Sequence, residues 1–219
     1  MDMQEIFPGL WKDGKKLFTQ NLLQGNTQYA RSIVRKSGKE YREWDPYHSK
    51  IAAAVAKGLK TFPIKAGSKI LYLGIASGQT ASFFSDIIGK DGVIYGVEIS
   101  ERCMQDLNPV AEARKNIVPI LANAKTPEDY GWIEPVEVVY QDVASDDQSE
   151  VLIRNCEKFL KPDGIAAMVI KARSMDVVKE PREVYKQEIA KLEKHFKIVE
   201  KMELDPFEKD HLFLVLKWK

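Results

Sequence analysis

Residues 70–100 read ILYLGIASGQTASFFSDIIGKDGVIYGVEIS, and this stretch decides the fold. Residues 70–73 are apolar without a polar break, the pattern of a strand buried on both faces of a parallel sheet. Gly74 and Gly78 allow a sharp turn and a close approach of the backbone to another group. Residues 80–88 carry helical periodicity, which Gly89 and Asp91-Gly92 end. Residues 93–99 form the next strand, with Glu98 near its end. Strand, glycine turn, helix and strand make a βαβ unit. An acid at the end of the second strand is placed to hydrogen-bond ribose hydroxyls, which marks a nucleoside-cofactor site.

The spacing within the turn selects among cofactors. A dinucleotide fingerprint, G-x-G-x-x-G, needs its second glycine so that pyrophosphate can approach the backbone. In that register this chain has Gly74, Ala76 and Gln79, so the second and third glycines are missing. A cofactor without phosphates tolerates the change, and with Glu98 this favours S-adenosylmethionine and methyl transfer over nicotinamide and hydride transfer. A βαβ unit with tight turns and no ligand is the bland alternative.

Outward from this unit, strands and helices alternate. Residues 101–115 read as a helix, irregular at Asn108-Pro109, and 117–121 and 136–140 as strands. A helix with Leu152, Cys156, Phe159 and Leu160 inward follows. Lys161-Pro162-Asp163-Gly164 turns into a strand over 165–170. Residues 181–195 are helical, with Glu188 the polar misfit on the inward face. Two strands, about 196–204 and 211–218, close the chain as a hairpin. The pattern predicts an α/β, doubly wound Rossmann-like sheet, mostly parallel, with an antiparallel last strand.

Residues 1–44 differ. Short strand-like runs broken at Lys12-Asp13-Gly14-Lys15 and Lys36-Ser37-Gly38-Lys39 predict a small N-terminal antiparallel β domain, with the doubly wound domain over 45–219. Arg31, Arg35, Lys36, Lys39 and Arg42 punctuate it, either as solvated strand faces or as a polyanion contact. Asp45-Pro46 reads as a helix start, placing Lys50 in the second turn, off the apolar face of Ile51, Ala54 and Val55.

Composition sets bounds. Of 219 residues, 44% are hydrophobic, enough for a core and too many for a disordered chain. No apolar run reaches membrane-spanning length and no secretory signal precedes Phe7, so a cytoplasmic protein without a membrane partner is expected. Cys103 and Cys156 have no CxxC partner or His cluster beside them. Both are expected to be buried apolar residues in a reducing compartment, and no metal site is expected. The balance of 33 basic and 32 acidic residues, net +1, is small for a protein that grips nucleic acid unaided.

Ligands of such a sheet bind beyond the carboxyl ends of its strands. The turn 74–78, Glu98, Asn123-Ala124, Asp142, Lys171 and, at the start of the last strand, His211 converge there. Lys50, Asp142 and Lys171 carry the sharpest chemistry. Lys171 follows AAMVI, so its stem is buried in part, and an ion pair with Asp142 on the neighbouring strand is the structural reading. The functional reading is proton management. A ribose hydroxyl must lose its proton as it attacks a methyl group, and a desolvated lysine beside a second cation can take it. Asp142 would orient the ammonium groups.

YREWDPYHSKIAAA (41–54), ILYLGIASGQT (70–80), YGVEIS (95–100), YQDVA (140–144), IKARSMDV (170–177) and FEKDHLFLV (207–215) resemble the fibrillarin family, over essentially the whole chain. The chain is similar to the archaeal form, lacking the Gly/Arg-rich N-terminal extension of eukaryotic members. The resemblance implies an S-adenosylmethionine-dependent RNA ribose 2′-O-methyltransferase. It would act on rRNA, and in archaea also tRNA, inside box C/D guide-RNA particles. Its partners would be a Nop-domain scaffold protein, an L7Ae-type kink-turn-binding protein and the box C/D guide RNA. The resemblance also implies that Lys50, Asp142 and Lys171 match the family's catalytic set and His211 a fourth active-site position. Cofactor contacts would fall at the glycine turn, at Gln79-Thr80, Glu98-Ile99 and Asn123-Ala124, and over Asp142, Val143, Ala144 and Ser145. Gln79 replaces a family threonine, Asn123 an aspartate that reads adenine, and Ser145 a glutamine. These departures bear on cofactor affinity more than on reaction type. Asn123 can still offer an acceptor to the adenine amine, without the charge. Two other readings remain at this stage: a small-molecule O-methyltransferase, and a noncatalytic subunit of an RNA particle.

Overall fold

Two sheets organise the chain, and the computed structural model describes them over residues 2–219. The first contains β1 (Gln4–Phe7), β2 (Leu10–Asp13), β3 (Lys16–Gln20), β4 (Ile33–Lys36) and β5 (Lys39–Trp44), paired antiparallel in the order β1-β2-β3-β5-β4. Its two expected hairpins have two-residue loops, with Asp13 opposite Lys16 and Lys36 opposite Lys39. Ser37 and Gly38 both have positive φ, the twist that lets a two-residue loop join right-twisted strands.

The second sheet contains β6 (Lys69–Leu73), β7 (Val93–Glu98), β8 (Ile117–Leu121), β9 (Val136–Gln141), β10 (Leu160–Lys171), β11 (Phe196–Glu203) and β12 (His211–Trp218). Their order is β11-β12-β10-β9-β6-β7-β8. The central five pair in parallel, while β12 runs antiparallel to both β10 and β11. The chain winds outward from β6 in both directions, so the order reverses between β6 and β9. A ligand crevice opens at such a reversal.

Helices cover both faces. α1 (Lys50–Ala56), α2 (Gln79–Ile88) and α3 (Glu101–Arg114) pack on one core, with Ile51, Phe83, Phe84, Leu107 and Val110 buried. On the other face lie α4 (Gln148–Phe159) and α6 (Pro181–Leu192), contributing Leu152, Phe159, Val184 and Leu192. A short α5 (Ala172–Met175) follows β10. Among the described residues, no helix is long and apolar enough to cross a membrane.

Several expectations change in detail. Asp45 accepts the Tyr47 N–H at 3.0 Å, but it caps a 3-10 turn, Pro46–His48. Extended Ser49 (φ −158°) interrupts, so α1 begins at Lys50 and that lysine occupies its first position. The 161–164 turn lies inside β10: Leu160 pairs with Val136, and pairing resumes at Ile165 with Val138. Pro109 leaves α3 continuous. Glu188 is buried, its carboxylate 2.8 Å from the Lys191 ammonium. Cys156 is buried as expected, whereas Cys103 is partly exposed, because its position on α3 faces a cavity.

The N-terminal sheet is sewn onto α2. Trp44 stacks on Phe83 at 4.9 Å, and Leu10, Leu17 and Trp44 belong to the same core as α1 and α2. Beneath them lies Asp86, its side chain fully buried, its carboxylate 2.6 Å from Arg42 Nη1 and 2.8 Å from Arg114 Nη1. The Thr19 hydroxyl (2.7 Å) and the Leu22 N–H (3.1 Å) also donate to it. Arg42 is therefore neither a solvated face nor a polyanion contact, which corrects the reading of that basic series. Burial lowers its pKa and Asp86 opposes the shift. Arg35 and Arg31 are also paired, with Glu40 at 2.9 Å and Asp45 at 3.6 Å.

Candidate active site

A cavity of about 610 Å³ opens at the carboxyl ends of β6, β7, β8 and β9. Its size is that of a small-molecule cofactor pocket. Gly74, Ala76, Glu98, Ile99, Asn123, Ala124, Asp142, Val143, Ala144, Ser145 and Lys171 line it, all expected from the sequence.

The turn after β6 owes its shape to residues in the left-handed region: Gly74 (φ +76°), Ala76 (φ +51°) and Gly78 (φ +84°). A Cβ on Gly74 would lie 3.0 Å from the Asp142 carbonyl oxygen, and one on Gly78 would lie 2.6 Å from Leu107 Cδ1. The first glycine thus lets the ends of β6 and β9 meet, and the second lets α2 start against α3. The third left-handed residue, Ala76, is held by the end of β7: Glu98 Oε2 accepts its N–H at 2.9 Å, and Oε1 accepts the Ser100 N–H at 2.9 Å. Glu98 is buried yet reaches the cavity. Each carboxylate oxygen keeps acceptor capacity for a ligand hydroxyl.

Three members of the expected cofactor set stand apart. Gln79 and Thr80 open α2 and do not line the cavity. The Thr80 hydroxyl donates to Ser49 Oγ at 2.9 Å, joining α2 to the start of α1. Gly78 is likewise behind the turn. Asn123 lines the cavity, but its Oδ1 accepts the Lys125 N–H at 3.0 Å. Its second lone pair and the Nδ2 donor are what remain for a ligand.

At one end of the cavity, Asp142 sits between two lysines. Lys171 Nζ lies 2.7 Å from Asp142 Oδ1 and donates to the Asp142 main-chain carbonyl, also at 2.7 Å. Lys50 Nζ lies 3.2 Å from Asp142 Oδ2 and 3.8 Å from Glu208 Oε1. The backbone fixes this group from beneath, because the Asp142 N–H donates to the Leu73 carbonyl at 2.9 Å. Tyr72 and Tyr140, buried on the strands that end at this group, pack edge to face at 4.7 Å. Burial holds both phenols well above their ordinary pKa, and the Asp142 charge adds to that. His211 is the cross-strand partner of Lys171, so the two side chains share a sheet face. Its Nδ1 donates to the Lys209 carbonyl at 2.6 Å, leaving Nε2 as the ring's free position. The Lys50–Asp142–Lys171 group and His211 therefore gather on one rim, from α1, β9, β10 and β12. The arrangement can orient a lysine nitrogen toward a hydroxyl while one carboxylate balances the two cations.

Sequence reasoning missed three participants. Gln148, wholly buried, accepts the Lys171 N–H through Oε1 (3.0 Å), donates from Nε2 to the Ser145 carbonyl (2.8 Å), and receives Gln141 Nε2 on its own carbonyl (2.7 Å). Nothing in a glutamine at the start of a helix announces this. Lys125 lines the cavity and reaches Asp147 at 2.9 Å, across from the 142–147 segment. That bond raises the Lys125 pKa; burial would raise Asp147, but hydrogen bonds from Lys125 and Ser145 bring it below its ordinary value. Cys103 is the third, visible only once α3 is placed beside the cavity.

A sequence profile of the Fibrillarin family matches residues 1–219. A fibrillarin-like rRNA/tRNA 2′-O-methyltransferase from Pyrococcus abyssi is 45% identical over 217 residues, covering 96% of each chain. Among solved structures, the fibrillarin of Aeropyrum pernix, with natively bound S-adenosyl-L-methionine, superposes with a TM-score of 0.90 at 45% identity. The match covers 99% of this chain and 98% of that one. A fibrillarin solved in complex with Nop5p matches with a TM-score of 0.90 at 35% identity, over 99% of this chain and 100% of that one.

Proposed function

Because this chain belongs to the fibrillarin family, we propose that it is the catalytic subunit of a box C/D guide-RNA ribonucleoprotein. In this reading it is an S-adenosylmethionine-dependent ribose 2′-O-methyltransferase acting on rRNA and tRNA. The observation that carries the chemistry is Asp142 held between Lys50 and Lys171 at the end of a cofactor-sized cavity. We take residues 1–44 as a small β domain and 45–219 as the methyltransferase domain, working in the cytoplasm.

The cavity residues fit the cofactor. Glu98 has acceptor capacity left for ribose hydroxyls, Ile99, Ala124 and Val143 give apolar walls for adenine, and Asn123 has a free amide donor for its edge. Two glycines and a left-handed alanine leave backbone rather than side chain on the turn. When bound, S-adenosylmethionine supplies a methyl group on a positively charged sulfur. The protein supplies the rest. Lys171 Nζ, once it has released its own proton to solvent and is a neutral amine, takes the proton of the attacking 2′-hydroxyl. Asp142 holds that nitrogen in place through its carbonyl and carboxylate. Lys50 occupies the other carboxylate oxygen and keeps Asp142 from turning away. General-base assistance of this kind is worth on the order of 10²–10⁴ in rate.

The particle supplies the RNA grip. A net charge of +1 gives little phosphate neutralisation, so a long guide–target duplex must be presented by other subunits. A Nop-domain scaffold, the partner class of the Nop5p complex above, would dock this chain. An L7Ae-type kink-turn-binding protein and the box C/D guide RNA would complete the assembly and raise the effective concentration of rim and ribose. The test is reconstitution with methyl-labelled cofactor. Site-specific 2′-O-methylation is expected from the full assembly, and almost none from this chain alone or from an assembly carrying Lys171→Ala. Full activity of that variant assembly would overturn the assignment.

A further inference from the structure

The segment between β3 and β4 reaches the cofactor turn, and it does so through one side chain. The Tyr29 hydroxyl donates to the Ser77 carbonyl at 2.9 Å, inside the Gly74–Gly78 turn. Tyr29 itself has φ +62°, a left-handed conformation that is uncommon for a large L residue. Strain of this kind persists only where surrounding contacts over-determine it. Those contacts are present. The Arg42 guanidinium donates to the carbonyl of the preceding residue, Gln28, at 2.5 Å. The same guanidinium donates to the Ser82 carbonyl and hydroxyl in α2, at 3.1 and 3.0 Å, and pairs with Asp86. The Tyr29 ring packs against the first core.

The turn is closed within itself by the Gly78 N–H, which donates to the Ile75 carbonyl at 3.1 Å, and held from two sides. Its inner side is fixed by the Gly74 and Ile75 N–H groups, which donate to the Val97 carbonyl, and by Ala76 on Glu98. On its outer side, the Ser77 carbonyl has Tyr29. The turn therefore lies between Glu98, which also faces the cavity, and a phenol carried by the N-terminal sheet.

We propose that Tyr29 is a positioning residue for the cofactor: by bonding the Ser77 carbonyl, it presets the Gly74–Gly78 turn in its ligand-receiving shape. The N-terminal sheet is then a working part of the cofactor site. The inference rests on the reading of this cavity as the S-adenosylmethionine site.

Three variants of the full chain separate the outcomes, with S-adenosylmethionine affinity measured by calorimetry. Tyr29→Phe keeps the ring and removes only the hydroxyl. It is expected to raise Kd by about three- to tenfold, the span of one ordinary hydrogen bond. In the reconstituted particle it should raise KM for the cofactor and leave kcat unchanged at saturation. Thr19→Val removes a different hydroxyl bond between the sheet and α2, the one to Asp86. It should lower thermal stability and leave cofactor affinity as it was. Glu98→Ala should weaken binding by roughly ten- to a hundredfold, as loss of a charged acceptor predicts. If Glu98→Ala binds like the unaltered chain, the cavity is not the cofactor site and the underlying reading fails. If Glu98→Ala weakens binding but Tyr29→Phe does not, or if Thr19→Val weakens it as much as Tyr29→Phe, the positioning role is overturned.

Discussion

The Lys171 ammonium is held by Asp142 twice, at 2.7 Å from its carboxylate and 2.7 Å from its own main-chain carbonyl. The two contacts together fix the nitrogen on the rim. Lys171→Ala should therefore nearly abolish methyl transfer, by about 10²-fold or more, with cofactor affinity little changed. Lys171→Arg should fail as well, since a guanidinium does not give up its proton. Single-turnover transfer of labelled methyl to guided RNA measures both. Near-normal turnover by the arginine variant would reduce Lys171 to a source of charge.

His211 stands opposite Lys171 in the β10–β12 pair, yet its Nδ1 is committed to the Lys209 carbonyl. It does not itself line the cavity, so its effect on the reacting hydroxyl is at one remove. His211→Ala should cost less than tenfold in rate, well below the loss from Lys171→Ala in the same assay. Equal losses would place the imidazole at the reacting centre.

Much of this was legible in the sequence because strand ends are marked by abrupt changes of residue type. IKARS, YQDVA and YGVEIS each pass from an apolar run to a polar residue at the carboxyl end of a strand, and parallel pairing brings such ends to one rim. What could not be read were polar residues in the interior. Arg42 sits among charged residues in a short strand, KEYREW, where charge normally faces water, and only the approach of α2, carrying Asp86, makes its burial tolerable. Gln79 and Thr80 follow the turn in sequence, but the left-handed Gly78 swings the chain away from the cavity, and Thr80 bonds Ser49 instead. Asp45-Pro46 carried a true start signal, but extended Ser49 moved the helix start to Lys50, which put the lysine within reach of Asp142.

Gln148 ties the cavity wall to the reacting end. One side chain accepts from the Lys171 N–H and donates to the Ser145 carbonyl, so the 142–147 segment and the end of β10 move together. Gln148→Leu keeps the volume and removes both bonds, along with a longer one from Nε2 to the Lys171 carbonyl at 3.4 Å. It should weaken cofactor binding and slow methyl transfer, each by about three- to tenfold, as expected for losing one or two neutral hydrogen bonds. Gln148→Glu, which keeps the acceptor for the Lys171 N–H but not the donor for Ser145, should recover the rate more than the affinity. Calorimetry and single-turnover rates on the two variants test that split.

Asp86 should be the most costly single carboxylate to remove. Its side chain is fully buried, and Arg42, Arg114, Thr19 and the Leu22 N–H all converge on it from the N-terminal sheet, α3 and the segment between β3 and β4. Asp86→Ala leaves two guanidinium groups buried without their counter-charge, and breaking a buried pair from one side costs about 3–5 kcal/mol. The loss should be concentrated where the N-terminal sheet meets α2. Denaturant unfolding followed by tryptophan fluorescence, in a background where Trp11, Trp132 and Trp218 are replaced by Phe, reports this contact through Trp44, which stacks on Phe83 at 4.9 Å. In that background, with Asp86 in place, Trp44 fluorescence and far-ultraviolet circular dichroism should change together, because sheet and helix share one core. In Asp86→Ala the fluorescence transition should move to lower denaturant first. Asp86→Asn, which keeps the shape and one acceptor oxygen but neither the second acceptor nor the charge, should fall between the two. If Asp86→Ala unfolds at the same denaturant concentration as the unaltered chain, the network contributes nothing to the join and the sheet is held by Trp44, Leu10 and Leu17 alone.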